Sequence, residues 1–316
     1  MDIRATSGVP LCDPNFREAS MKCNEPVTQT DNLSSLTFTL NSGREMPAIG
    51  YGTWLTPDGD CPALVEQAAK DGYRLFDTAQ VYENEAGVGN GVRHALDQLR
   101  LERGDVFVTT KVDADFKQQV LAYNSIHLSL DKLQMPYADL VLIHAPRPWK
   151  YMDEDPDTCG HFYDENRAVW LALEDAVKTG WTRSIGLSQF SVDDMEHLLA
   201  DGATVPAVLQ TCAYIGNMPW DLMEYCSDKG IQLQAFCPLG HGNVLKNDDL
   251  AAMATKYQVS TAQLCLRYLL QKGFAVIPKT VVPAHLQQNL ELGFAIEDAD
   301  VAALDKLNLK DAIKGL

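Results

Sequence analysis

The chain has 316 residues, 46% of them hydrophobic and 22% charged, which is the balance of a folded globule with enough apolar material for a large core. Its 26 lysines and arginines stand against 43 aspartates and glutamates, a net charge of −17. That surplus argues against nucleic acid or an anionic membrane as the main partner and leaves a small molecule or a protein.

Residues 1–34 are polar and turn-rich, without periodicity, and read as a loosely attached extension that is neither a signal peptide nor a membrane span. The eight cysteines form no C-x-x-C pair and read as buried thiols of a reducing compartment, so the expected location is cytoplasmic. Apolar residues 36–40 and 46–49 flank Asn41-Ser42-Gly43 and predict a β-hairpin. Eight short apolar runs follow, at 49–53, 75–76, 106–110, 140–143, 184–187, 207–209, 231–236 and 275–277. Between them, amphipathic periodicity predicts helices at 61–71, 86–99, 164–179, 191–199 and 221–229, and two more within 248–272.

Eight strand–helix units in one domain, residues 35–316, predict a closed parallel (β/α)₈ barrel, with a doubly wound open sheet as the runner-up. The open sheet wants a phosphate-binding glycine fingerprint after an early strand. Gly87-Val88-Gly89-Asn90-Gly91 has the wrong spacing and lies inside a helical pattern. The chain carries no P-loop, His-Glu-x-x-His, Gly-x-Ser-x-Gly or spaced Cys/His zinc set, and no metal is expected.

Barrels of this kind do chemistry at the carboxyl ends of their strands. The second run ends in Asp77, with Tyr82 five residues on; the third ends in Lys111 and the fourth in His144. Later ends offer Ser188, Gln189, Gln210, Phe236, Lys279 and Thr280. Singly, Asp77 reads as a helix cap, Lys111 as a solvated end, Tyr82 as a rim aromatic and His144 as a core residue. Converging on one mouth, they make an acid–base set. Lys111, held by Asp77, is a fixed cation expected to favour phenolate and to lower the Tyr82 pKa from about 10 toward neutrality. His144 is placed to hydrogen-bond a carbonyl oxygen. This set provides a proton and an oxyanion site but no reductant, so a cofactor is needed. Ser188, Gln189 and Gln210 suit an amide such as nicotinamide, Phe236 suits a flat ring, and Lys279 with Thr280 suits a phosphate.

Three segments resemble signatures of the aldo-keto reductase family. They are Gly72-Tyr73-Arg74-Leu75-Phe76-Asp77-Thr78-Ala79 with Tyr82-Glu83-Asn84-Glu85, then Asp139-Leu140-Val141-Leu142-Ile143-His144-Ala145-Pro146, then Ile277-Pro278-Lys279-Thr280. The resemblance spans residues 36–309. It implies that Tyr82 donates the proton, that Asp77 and Lys111 tune it, and that His144 orients the substrate. It also implies that Ser188, Gln189 and Gln210 hold the nicotinamide carboxamide, with Phe236 beneath the ring, and that Leu239 is a further cofactor-binding residue. Lys279 and Thr280 would meet the 2′-phosphate of NADPH, and Asn289 the adenine.

Departures from the family pattern are Gln189 for Asn, Phe236 for Tyr, and His285 for an Arg that covers the 2′-phosphate. A neutral imidazole lacks the guanidinium fork, so NADPH is favoured with NADH also admitted. Ala145 stands where many members carry Trp, and the chain ends soon after its last helix. Both features imply an open pocket for a bulky or broad range of carbonyls, with Trp54 as an aromatic wall. The acidic run Asp153-Glu154-Asp155-Pro156-Asp157 should disfavour anionic substrates.

The implied activity is reversible NAD(P)H-dependent reduction of an aldehyde or ketone to an alcohol, by a monomer or weak dimer. The alternative is a cofactor-binding regulatory protein with slow turnover. A metal-dependent barrel hydrolase would need strand-end ligands, and His94, His127, His161, His197, His241 and His285 do not recur at strand ends.

Overall fold

A computed structural model describes residues 20–28, 33–200 and 202–312. Three short strands, β1 (Ser20–Lys22), β2 (Thr37–Thr39) and β3 (Glu45–Pro47), form a small sheet. Eight parallel strands then pair in sequence order: β4 (Gly50–Gly52), β5 (Leu75–Asp77), β6 (Phe107–Val112), β7 (Ala138–Ile143), β8 (Thr182–Ser188), β9 (Val208–Cys212), β10 (Gln232–Phe236) and β11 (Ala275–Val276). The sheet closes on itself. Ile49 bridges Val276 in parallel, the Val276 N–H donates to Ala48 O at 2.9 Å, and the Gly52 N–H donates to Pro278 O at 3.1 Å. The result is the expected (β/α)₈ barrel.

Both faces of these strands are covered, which is why β6 and β7 are buried at every position and neither shows an apolar–polar alternation, β7 running largely apolar. The glycine cluster at 87–91 belongs to the helix Glu85–Leu99 and serves packing. A Cβ on Gly89 would lie 2.2 Å from Leu133 O, and one on Gly91 2.7 Å from Val65 Cβ. These glycines let helices approach one another and bind no phosphate. Among the described residues, the helix Gln119–Leu133 that follows β6 was not anticipated, nor were the short helices Pro156–Cys159, Pro283–Gln288 and Asp298–Leu304.

The expected hairpin is β2–β3, with Phe38 opposite Met46 and both side chains fully buried. It lies across the amino end of the barrel, where Asn41 Nδ2 donates to Pro206 O at 2.9 Å and the Ser42 and Ser184 hydroxyls meet at 2.7 Å. Within the segment read as a loose extension, residues 20–28 are docked, which corrects that reading. Here β1 pairs with β2, Val27 is fully buried and donates to Leu270 O at 3.0 Å, and Asn24 Oδ1 accepts from the Leu233 N–H at 2.7 Å. Residues 1–19 and 29–32 lie outside the described residues. Among the described residues, no helix is long and apolar enough to cross a membrane.

Candidate active site

Strand termination delivers the reactive groups. Asp77 is the last residue of β5, Lys111 sits near the end of β6, and His144 directly follows β7. Tyr82 comes from the short 3₁₀ turn Gln80–Tyr82. The Lys111 ammonium donates to Asp77 Oδ1 at 2.5 Å, to Thr78 O at 3.0 Å and to the Tyr82 hydroxyl at 3.2 Å. Lys111 is fully buried and Asp77 nearly so. The Tyr82 and His144 rings meet edge to face with centroids 5.5 Å apart. The four predicted residues are thus brought together.

One electrostatic expectation is reversed. Enclosure of the Tyr82 hydroxyl, with the negative charge of Asp77 nearby, holds its pKa well above the usual phenol value despite the adjacent ammonium. Tyr82 is therefore a protonated phenol at rest. Burial also draws the Lys111 pKa down while Asp77 acts against that. Burial, then the Lys111 charge, pushes His144 well below the ordinary imidazole value, so the ring is neutral. Its Nδ1 is buried without a hydrogen-bond partner.

These groups open into a cavity of about 1060 Å³, at the upper end of small-molecule sites and roomy enough for a dinucleotide together with a small substrate. Asp77, Tyr82, His144, Ser188, Gln189, Gln210, Phe236, Leu239, Lys279, Thr280, His285, Asn289 and Trp54 all line it. Gln210 does more than expected, because its Nε2 donates to Asp77 Oδ2 at 2.9 Å and to Gln234 Oε1 at 2.7 Å. The Asp77 carboxylate is therefore held from two sides, and Gln210 Oε1 is left as a candidate acceptor for a ligand amide. Gln189 has a left-handed backbone, φ 63°, and its Nε2 donates to His144 O at 3.2 Å. The Thr280 hydroxyl accepts from the Val282 N–H at 3.1 Å. Among the described residues lining the cavity, Lys279 is the only lysine or arginine.

Ala145 does not belong to this wall. It is fully buried, and its carbonyl accepts from Lys117 Nζ at 2.9 Å. The loop beyond it returns Trp149 to the same neighbourhood, with the indole edge-on to His144 at 4.8 Å. The widening expected from a small residue at 145 is thereby offset. Among the described residues of the acidic run, Asp153 alone lines the cavity. Three cysteines, Cys61, Cys226 and Cys265, are buried as expected, but Cys237 is on the cavity wall with its Sγ 2.9 Å from His241 Nε2. His241 in turn lies 5.2 Å from the Trp54 ring, bridging the rims after β10 and β4. Trp149, Met152, His241, Ser260 and Gln288 were missed as wall residues because they lie in loops, in short 3₁₀ turns or at helix ends, where no periodicity marks them. Among the described residues, no group of three or more His, Cys, Asp or Glu could hold a metal ion.

A closed barrel with a protonated phenol, a buried ammonium and a neutral imidazole converging at one mouth, beside a row of amide and hydroxyl groups, defines a barrel oxidoreductase. The family model for the Aldo/keto reductase family matches residues 48–309. The chain is 35% identical to a glyoxal reductase of Bacillus subtilis, over 88% of this chain and 94% of that one. It is 33% identical to a D-galacturonate reductase of Hypocrea jecorina, over 90% and 94%. Among solved structures, a Brucella melitensis aldo/keto reductase superposes with TM-score 0.78 at 31% identity, covering 86% of this chain and 99% of the other. A Bombyx mori aldo-keto reductase in complex with NADP superposes with TM-score 0.77 at 29% identity, covering 86% and 92%. The chain belongs to the aldo/keto reductase family.

Proposed function

We propose that this protein reduces an aldehyde or ketone to the alcohol using NADPH, in a reversible reaction in which Tyr82 is the proton donor. The observation that carries the reading is the Lys111 ammonium shared between Asp77 at 2.5 Å and the Tyr82 hydroxyl at 3.2 Å, beside a neutral His144.

The cavity's donor set fits a nicotinamide dinucleotide. Ser188, Gln189 and the free Oε1 of Gln210 match a carboxamide, Phe236 offers a flat face, and Lys279 with Thr280, His285 and Asn289 forms the other end. When bound, the reduced nicotinamide supplies hydride. The protein's part is to place the carbonyl and to move a proton. His144 donates a hydrogen bond to the carbonyl oxygen and stabilises the charge developing on it. The Tyr82 hydroxyl gives its proton to the alkoxide, a much stronger base than phenolate, and the Lys111 ammonium stabilises the phenolate left behind. Asp77, itself gripped by Gln210, fixes that ammonium.

The same reading takes NADPH over NADH, admits some NADH because exposed His285 is no permanent cation, accepts a broad range of carbonyls, and places a monomer or weak dimer in the cytoplasm. Tyr82→Phe is expected to lower the rate of aldehyde-dependent NADPH oxidation about 10²–10⁴-fold. NADPH affinity, followed by cofactor fluorescence, should stay within about threefold of wild type, a difference under 1 kcal/mol. A variant that keeps most of its rate would sink the assignment of the acid.

A further inference from the structure

The loop between β6 and the helix Gln119–Leu133 carries three polar side chains at alternate positions, Asp113, Asp115 and Lys117, and all three reach the loop that follows His144. Asp113 Oδ1 accepts from the Trp149 indole Nε1 at 2.8 Å, and Asp115 Oδ1 accepts from the Trp149 backbone N–H at 3.0 Å. Lys117 Nζ donates to Ala145 O at 2.9 Å, to Pro146 O at 3.0 Å and to Asn166 Oδ1 at 2.7 Å. The other edge of the same loop is tied to the proton donor's turn, because the Asp113 N–H donates to Gln80 Oε1 at 2.9 Å. The segment is a tight turn, closed by the Phe116 N–H on Asp113 O at 3.0 Å and the Lys117 N–H on Asp115 O at 3.1 Å, and from it one short stretch grips its neighbour at three points.

What it grips is the part of the wall nearest the chemistry. The backbone immediately after His144 is held by Lys117, while Trp149, edge-on to His144 at 4.8 Å, is held at both its indole and its amide by the two aspartates. An exposed tryptophan on a free loop would sample many rotamers. One held by the half-buried Asp113 carboxylate presents a fixed flat surface to whatever carbonyl His144 orients. Trp54, Val81 and Met152 add further apolar surface to the cavity wall, with Asp153 next to Met152.

We propose that Asp113, Asp115 and Lys117 form a clamp that positions His144 and Trp149, and that Trp149 so held is the specificity-determining wall, selecting carbonyls that carry a flat apolar group. The selectivity rests on the carbonyl-reduction reading, whereas the clamp does not, and the test separates them.

The ratio of kcat/KM for 4-nitrobenzaldehyde over that for glyoxal is expected to fall about tenfold in Trp149→Ala and in Asp113→Ala. Asp113→Asn keeps an acceptor for the indole N–H and should hold the wild-type ratio. Lys117→Met should lower kcat about tenfold for both aldehydes, with KM changed less than about twofold, because it releases the backbone behind His144 rather than the wall. Independently of turnover, Asp113→Ala should make tryptophan emission more quenchable by acrylamide in the wild-type background and not in Trp149→Phe. An unchanged ratio in Trp149→Ala, or an Asp113→Asn variant as impaired as Asp113→Ala, would overturn the selectivity. Unaltered quenching in Asp113→Ala would overturn the clamp. If the wild-type protein reduces neither aldehyde with NADPH, the carbonyl reading and the selectivity fail together, and the quenching result still decides the clamp.

Discussion

A proton donor must be protonated when the substrate arrives and must tolerate being deprotonated afterwards. In the proposed reaction Tyr82 meets these two demands through different neighbours. Enclosure and the charge of Asp77 hold the phenol protonated, and the Lys111 ammonium at 3.2 Å meets the phenolate when it forms. His144 is kept neutral by burial and by Lys111, so it has no charge to gain near its ordinary pKa. A pH dependence follows. Reduction needs the protonated phenol and a neutral imidazole, so its kcat should be flat between about pH 6 and 9 once the cofactor is saturating. The reverse reaction needs phenolate, whose fraction rises tenfold per pH unit below a raised pKa. Alcohol oxidation should therefore climb across the same interval without levelling off. A plateau in oxidation near pH 7 would mean that Lys111 wins over enclosure at Tyr82.

At the scale of elements, the loop after β6 holds a half-buried lysine with a charge balance of its own. The Lys117 ammonium has three protons for its three acceptors, and burial draws its pKa down to about 7, with Asp194, Glu165, Asp115 and Asp113 opposing that fall. A lysine lowered in the folded state binds fewer protons there than in the unfolded chain, where its pKa is about 10.4. Its contribution to stability is thus most unfavourable below about pH 7 and improves as pH rises from about 7 toward 10. The wild-type Tm, compared with that of Lys117→Met, should gain on the variant over this window; parallel curves would show that Lys117 does not titrate there.

The same neighbourhood shows where a sequence is readable. Asp77, Lys111 and His144 each stand at the end of a run buried on both faces, so the change from apolar to polar marks the strand end and the mouth at once. Trp149 gives no such mark, because its place beside His144 depends on how the chain turns through Pro146 and Pro148. The helix Gln119–Leu133 was obscured for another reason. Val120 and Leu128 are 69% and 58% exposed, so apolar residues occupy its outer face as well as its inner one and blur the amphipathic pattern. Residues 20–28 escaped notice because a three-residue strand and a single buried valine are too short to show a period.

At the scale of the whole molecule, a net charge of −17 repels an anionic cofactor, and the described cavity wall answers with one lysine, Lys279. Lys279→Met should weaken NADPH binding about tenfold at low salt, and the deficit should shrink toward 0.5 M NaCl as both the local attraction and the general repulsion are screened. Titration of cofactor fluorescence at several ionic strengths measures this, and equal affinities in variant and wild type at low salt would locate the phosphate contact elsewhere. Barrel closure reaches further, into how the protein is made. Asp77, Tyr82, Lys111 and His144 occupy the first half of the chain, yet the ring is sealed only when Val276 reaches Ile49, and the cavity wall from Lys279 to Asn289 is translated after that. At the usual pace of translation, on the order of 5–20 residues per second, His144 waits on the order of ten seconds for the strand that shuts the ring. Throughout that interval the growing sheet has an open edge on each side, the kind of surface that recruits another strand. The step most exposed to misassembly is therefore the arrival of the last barrel strand, and a nascent chain stalled before Val276 is the form with most need of a chaperone.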